Sequence, residues 1–203
     1  VNHLSQDENM KRHILCTAAA IPLALFAAQA SAITLESATT QGGTVVTDFS
    51  ATSLVSFDID FRNFAPAVIA FRVDSGDMLA PITLSSVLRN FTGQGFSGFQ
   101  FTLDRGIFAS AGTVTPQFGG TASVLLDGNA ATVSFSALEF LDVEVGDAFG
   151  STPGAANWGL GNLMAGDRFT LSVTPVPEPG SYALLLAGLG VLGFIAARRR
   201  QTG

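Results

Sequence analysis

Apolar and polar residues alternate in strict succession through the middle of this chain. Val55, Phe57, Ile59 and Phe61 are interleaved with Ser56, Asp58, Asp60 and Arg62. This period of two turns one face of a β-strand toward a core and the other toward water. The pattern returns in Ile69, Phe71 and Val73, and in Phe99, Phe101 and Leu103 against Gln100, Thr102 and Asp104. It returns again in Val133 and Phe135 against Thr132, Ser134 and Ser136, and in Phe169, Leu171 and Val173 against Arg168, Thr170 and Ser172. Breakers stand where these runs stop, at 41–43, 74–77, 93–95, 127–129 and 166–167. Short strands between turn signals, with no stretch of helical period to serve as a crossover, predict an all-β domain over residues 33–175. The expected form is an antiparallel β-sandwich of about eight to ten strands. Asp127-Gly128-Asn129, between the apolar runs 124–126 and 132–135, predicts a hairpin.

Two apolar runs break the alternation, one near each end. Residues 14–28 follow Met10-Lys11-Arg12-His13 and lead into Ala30-Ser31-Ala32. A basic start, a short apolar stretch and an A-x-A site predict a secretory signal peptide over 10–32, cut after Ala32, with Ala30 and Ala32 as the small residues of the site. The run is too short for the ~20 residues that a membrane span needs. Cys16 lies at its beginning, where a lipoprotein would carry its cysteine at the end. Residues 1–9, polar and with acids at Asp7 and Glu8, form a doubtful extension ahead of this layout, and Met10 is the better translation start than Val1.

The second run covers 182–197 and is followed by Arg198, Arg199 and Arg200. As a helix rising ~1.5 Å per residue it reaches ~24 Å, against a hydrocarbon core of ~30 Å. It predicts a short transmembrane helix whose arginines snorkel to the cytoplasmic headgroups and hold the domain outside. Pro177 and Pro179 keep the approach extended and stop the helix from starting earlier.

Read in order, residues 176–203 present Pro177-Glu178-Pro179, a Gly-Ser pair, a Leu/Gly/Ala-rich helix and a terminal arginine cluster. This order resembles the PEP-CTERM sorting signal of Gram-negative bacteria. The resemblance implies that Pro177, Glu178 and Pro179 are recognised by an exosortase, a membrane-embedded cysteine transpeptidase, with cleavage nearby. It further implies export across the inner membrane, transient anchoring by the helix, and a destination at the cell surface or outside the cell. Carriers of this signal are associated with exopolysaccharide and biofilm matrix. The tail is appended to many unrelated domains, so it implies nothing about the fold or ligand of 33–175.

Charge and composition narrow the chemistry. Between 33 and 175 there are 13 carboxylates and 5 arginines, a balance of −8. Such a surface disfavours nucleic acid as a partner. His3, Lys11, His13 and Cys16 are the only residues of their types, and all precede the predicted cleavage site. The mature domain is thereby left without imidazole, amine or thiolate. Ser-His-Asp and Cys-His catalysis, Schiff bases, His/Cys zinc sites and disulfides are all excluded, and no cofactor is expected.

Carboxylates and hard cations remain. Asp58 with Asp60, and Asp142 with Glu144, stand two apart on one strand face, ~6.5–7 Å at Cβ, within the range of glycosidase acid pairs. Solvated strand faces of acidic proteins present such pairs routinely, and that reading is favoured. Asp74, Asp77, Asp142, Glu144 and Asp147 are weak calcium candidates, near glycines but matching no known calcium loop. Solubilising turns are again favoured. Fifteen phenylalanines in 33–175 predict core packing. Segment 150–161, rich in Gly, Pro and Asn, predicts a surface loop. Its Trp158 is the candidate ligand contact, with packing inside the loop as the favoured role. The expected function is a non-enzymatic surface or matrix protein, served by the secretion machinery, a signal peptidase and an exosortase, and linked to exopolysaccharide. Alternatives are a carbohydrate-binding module or a carboxylate-dependent glycoside hydrolase.

Overall fold

The computed structural model describes residues 32–178, together with 180, 184 and 186–192. The predicted signal peptide except Ala32, and with it Ala30, lies outside the described residues. So do Pro179, Arg198, Arg199, Arg200 and part of the predicted helix 182–197. Residues 180, 184 and 186–192 are helical. Among the described residues no helix is long and apolar enough to cross a membrane.

Among the described residues thirteen strands form two sheets that face each other as a sandwich. The first sheet is built from β1 (Thr34–Thr39), β4 (Ala67–Arg72), β6 (Phe96–Leu103), β9 (Ala122–Asp127), β10 (Ala130–Glu139) and β13 (Arg168–Pro177), in the order β1-β4-β13-β6-β10-β9. The second has β2 (Val45–Asp48), β3 (Leu54–Phe61), β5 (Ile82–Asn90), β11 (Asp142–Val145) and β8 (Val114–Pro116) side by side in that order. Beside the first half of β5 lies β12 (Trp158–Gly161), which carries β7 (Ile107–Ser110) on its other edge. A 3₁₀ turn, Ser75–Leu79, joins β4 to β5.

The expected strands are where the alternation placed them. The strand count exceeds the expected eight to ten because β2, β7, β8, β11 and β12 are only three or four residues long, too short to display a period. One pair also departs from the antiparallel expectation: β3 and β5 run parallel, in register from Leu54↔Thr83 to Phe61↔Asn90. The connection between them crosses to the other sheet through β4, which removes the need for a helical crossover. Strand β5 is central, flanked by β3 on one edge and by β12 and β11 on the other. Even its serines Ser85 and Ser86 are buried, and Ser85 donates a hydrogen bond to the Ser56 hydroxyl of β3 at 3.2 Å.

Phenylalanine fills the space between the sheets, as expected. Phe57 of β3 meets Phe71 of β4 at 6.1 Å between ring centres, and Phe61 meets Phe99 of β6 at 5.8 Å. Phe96 stands edge-on to both Phe61 and Phe99. Each buried ring of this kind stabilises the sandwich by ~1.5–3 kcal/mol relative to exposure. The predicted hairpin joins β9 to β10: Ala130 pairs with Asp127 across Gly128 and Asn129, and Gly128 takes φ +59. A side chain rarely adopts that left-handed conformation, which is why glycine stands there.

The registers fix which strand ends share a pole. The ends of β1, β3, β5, β8, β10 and β13 lie together with the starts of β2, β4, β6, β9 and β11. The chain leaves the sandwich at this pole, through β13.

Candidate functional site

The motif expected to be recognised by a sorting enzyme begins inside the sheet. β13 is an interior strand, between β4 and β6, and its alternating Phe169, Leu171 and Val173 are buried. Pairing with β6 does not stop at residue 175, where the domain was expected to end. Pro175 lies opposite Phe99, Val176 opposite Gly98 and Pro177 opposite Phe96, with an irregularity between the last two. The Ser97 hydroxyl lies 3.2 Å from the carbonyl oxygens of both Val176 and Pro177 and donates its proton to them. A proline is tolerated here because the ladder ends and no backbone N–H is demanded. Glu178 is half-buried, and the chain is helical again at Gly180. Of the three motif residues, Pro177 is thus part of the fold and Glu178 directly abuts it.

A second constellation lies on the outer face of the other sheet. Asp58 and Asp60 project from β3 and Arg89 from β5, because the parallel register puts Asp58 opposite Val87 and Asp60 opposite Arg89. Arg89 Nη2 donates to Asp58 at 2.6 Å and Nη1 to Asp60 at 3.1 Å. Its Nε stands 4.0 Å from Asp142, which heads β11 on the opposite edge of β5. Three strands thus gather three carboxylates around one guanidinium. Burial, the largest single influence on Arg89, lowers its affinity for its proton, but the hydrogen bonds to Asp58 and Asp60 and the attraction of their charges together outweigh it and push its pKa up. Burial likewise pushes the Asp142 carboxyl up. Arg89 opposes this, while Asp60, Glu139 and Asp58 add to it.

Beside this cluster a cavity of about 430 Å³ is lined by Val87, Gln117, Leu141, Asp142, Glu144 and Phe149. Glu144 is buried within its wall and accepts hydrogen bonds from Ala148 N–H and the Thr152 hydroxyl. The pairing of Asp142 with Glu144 is therefore a half-exposed carboxylate beside one already engaged. Asp58 and Asp60 are likewise held by a common cation. Arg89, Gln117 and Phe149 were not singled out from the sequence. The available signal was one long cation closing the apolar and hydroxyl run of Ile82–Asn90.

The calcium candidates do not converge. Asp77 is fully buried and accepts hydrogen bonds from Ser53 N–H and Asp74 N–H. Asp74 pairs with Arg72 at 3.3 Å and accepts from Thr34. Asp147 accepts from Ser151 and Thr152 N–H. Among the described residues no group of three or more His, Cys, Asp or Glu side chains is placed to hold a metal.

Trp158 requires a correction. The 150–161 segment ends in strand β12, not in a loop, and the indole is fully buried. It packs on Phe101 at 5.4 Å and edge-on against Phe108 at 5.8 Å, while its N–H donates to the Thr113 carbonyl at 3.2 Å. Glycines on either side concealed the strand; Gly159 lies so close to Ser110 of β7 that a Cβ there would strike the hydroxyl. The exposed aromatic nearest that segment is Phe149.

No curated protein and no solved structure matches the chain. Its tail does match: residues 175–200 fit the family model of the PEP-CTERM protein-sorting motif, the signal by which exosortase systems sort exported proteins, and this signal begins on the last paired residues of β13.

Proposed function

We propose that the sandwich is a non-enzymatic domain, delivered by its tail to the cell surface or extracellular matrix and associated there with exopolysaccharide. The observation that carries this reading is the sorting signal itself, joined without a linker to an acidic domain. Supporting it, the described residues contain no His, Cys or Lys, and the carboxylate pairs Asp58/Asp60 and Asp142/Glu144 are occupied by Arg89 or by hydrogen-bond donors. A glycosidase needs one acid free to donate and a second facing it across the bond.

The test has two parts. Intact mass and fractionation of the exported protein are compared in a host with and without its sorting enzyme; loss of the arginine tail only when the enzyme is present is expected. A tail retained in both hosts would make it a plain anchor. The exported protein is then retained on the host's own exopolysaccharide; passage straight through would remove the matrix role.

The carbohydrate-binding alternative draws on one feature. The cavity beside Arg89 is lined by an exposed aromatic, Phe149, together with Gln117 and Asp142, a combination of apolar ring and hydrogen-bonding groups suited to a sugar. Phe149→Ala is expected to abolish retention on polysaccharide under this reading and to leave it unchanged if the acidic surface binds through bridging cations.

A further inference from the structure

The two poles of the sandwich differ in charge. At the pole where β13 leaves, the chain turns through residues 40–44, 62–66, 91–95, 117–121 and 140–141, and none of these five connections contains an Asp or Glu. Their single charge is Arg62. In a domain of 13 carboxylates and 5 arginines this is a marked exclusion. The opposite pole carries Asp74, Asp77, Asp104 and Asp167 in its turns. Of the acids that border this pole, Glu139 at the end of β10 is buried and accepts hydrogen bonds from Phe118 and Leu141 N–H, Asp60 near the end of β3 is held by Arg89, and Asp142 at the head of β11 and Glu178 after β13 are partly exposed.

Large apolar side chains stand where the acids are missing. Phe91, Phe118, Phe140 and Leu141 are 53, 56, 40 and 52% exposed, and all four sit on exit-pole connections. Phe118 and Phe140 meet edge-on at 5.2 Å, and the Arg62 guanidinium lies 5.5 Å from the centre of the Phe91 ring. Side chains already held against one another lose little freedom when they enter a new phase.

The tail supplies the neighbour. From Pro177, the last paired residue, five steps reach Tyr182 at the head of the apolar run. Even fully extended they span at most ~18 Å. The headgroup layer itself is ~5–8 Å deep, since a bilayer of ~40–45 Å has a ~30 Å core. With the run inserted, the exit pole has nowhere to be but at the membrane surface.

We propose that this pole is a membrane-docking face: Phe91, Phe118, Phe140 and Leu141 enter the interface of the bilayer that holds the tail, Arg62 meets lipid phosphate, and the acidic pole points away. Aromatic rings favour this depth, and the absence of carboxylates from the five connections, with Asp60 and Asp142 facing Arg89, lessens repulsion from anionic headgroups, which reaches about a Debye length, ~8–10 Å. Docking would hold the Pro-Glu-Pro segment flat at the surface where a membrane-embedded enzyme must reach it. The inference rests on the tail being the membrane-inserted sorting signal.

The test uses the chain exported by a host lacking the sorting enzyme, so that the tail is retained, reconstituted into vesicles of phosphatidylethanolamine and phosphatidylglycerol. Amide hydrogen exchange is compared with the same chain in detergent micelles. Connections 91–95, 117–121 and 140–141 are expected to exchange about tenfold more slowly on vesicles, and connections 73–81 and 162–167 equally in both. Phe91→Ser with Phe118→Ser and Phe140→Ser, at exposed positions, is expected to lose that protection while connections 73–81 and 162–167 exchange as in the wild type, which shows that the fold is kept. Protein that co-floats with vesicles yet exchanges equally at both poles overturns the docking face. Protein that fails to float overturns the inserted tail beneath it. Protection that follows protein concentration instead of lipid assigns the patch to a second copy of the chain and overturns the proposal as well.

Discussion

Asp142 carries an unusual burden for a half-exposed residue. Burial is the largest influence on its carboxyl, and its attraction to Arg89 at 4.0 Å does not offset that, so its pKa rises in the fold. Between the unfolded and folded values the native state binds more protons than the unfolded one. Stability therefore falls as pH rises through that window and stays reduced above it. Asp142→Asn is expected to raise stability at neutral pH, with the gain vanishing below the ordinary carboxylate pKa of about 3.9. Urea unfolding at pH 7 and at pH 3 reads this directly, and equal midpoints at pH 7 would mean that Arg89 cancels the burial. Residue identity alone pointed to carboxylate pairs, but not to their cation: Arg89 lies 31 and 29 residues from Asp58 and Asp60 in the chain. Packing was the favoured role for Trp158, but its strand was missed for a related reason, since its neighbours are loop-forming types while its place is decided by Phe101 and Phe108.

Among the elements, β13 links the fold to its export signal, and its last pairs depend on β6. Gly98 of β6 faces Val176, and a Cβ built on it would collide with the backbone carbonyl of Val133 in β10. Neither strand can move away, because each is an interior member of the six-stranded sheet. Gly98→Ala is expected to destabilise the protein by about 1–3 kcal/mol, the range for overpacking a tight site. A thermal or urea midpoint at the wild-type value would show that β10 can yield. Strands β3, β4, β6, β10 and β13 were legible because each is long enough to show its two faces. β5 was not, since it is buried on both faces and its serines break the apolar run. The short β11 and β12 are held by β5, and β8 and β7 in turn by them.

The whole molecule is an acidic sandwich without cross-links, held by its phenylalanine core. If cleavage falls after Ala32, the exported chain contains no cysteine. Its melting midpoint is then expected to be the same with and without reductant, and a maleimide reagent is expected to leave its mass unchanged. A single added label would retain Cys16 in the exported protein and refute the cleavage. The separation of charge between poles also belongs to this scale: no single segment displays it, because each exit-pole connection is only two to five residues long.

Taken alone, the sequence determined the strand faces, the hairpin at Gly128, the phenylalanine core, the poverty of catalytic groups and the sorting tail. These follow from composition and from periods that repeat within ten residues or fewer. Tertiary structure decided the parallel pairing of β3 with β5, the gathering of Asp58, Asp60 and Asp142 around Arg89, the burial of Trp158 and the entry of Pro177 into the sheet. Each of these depends on which distant strands pair and in what register. That choice is made by packing between segments far apart in the chain, so no local pattern records it.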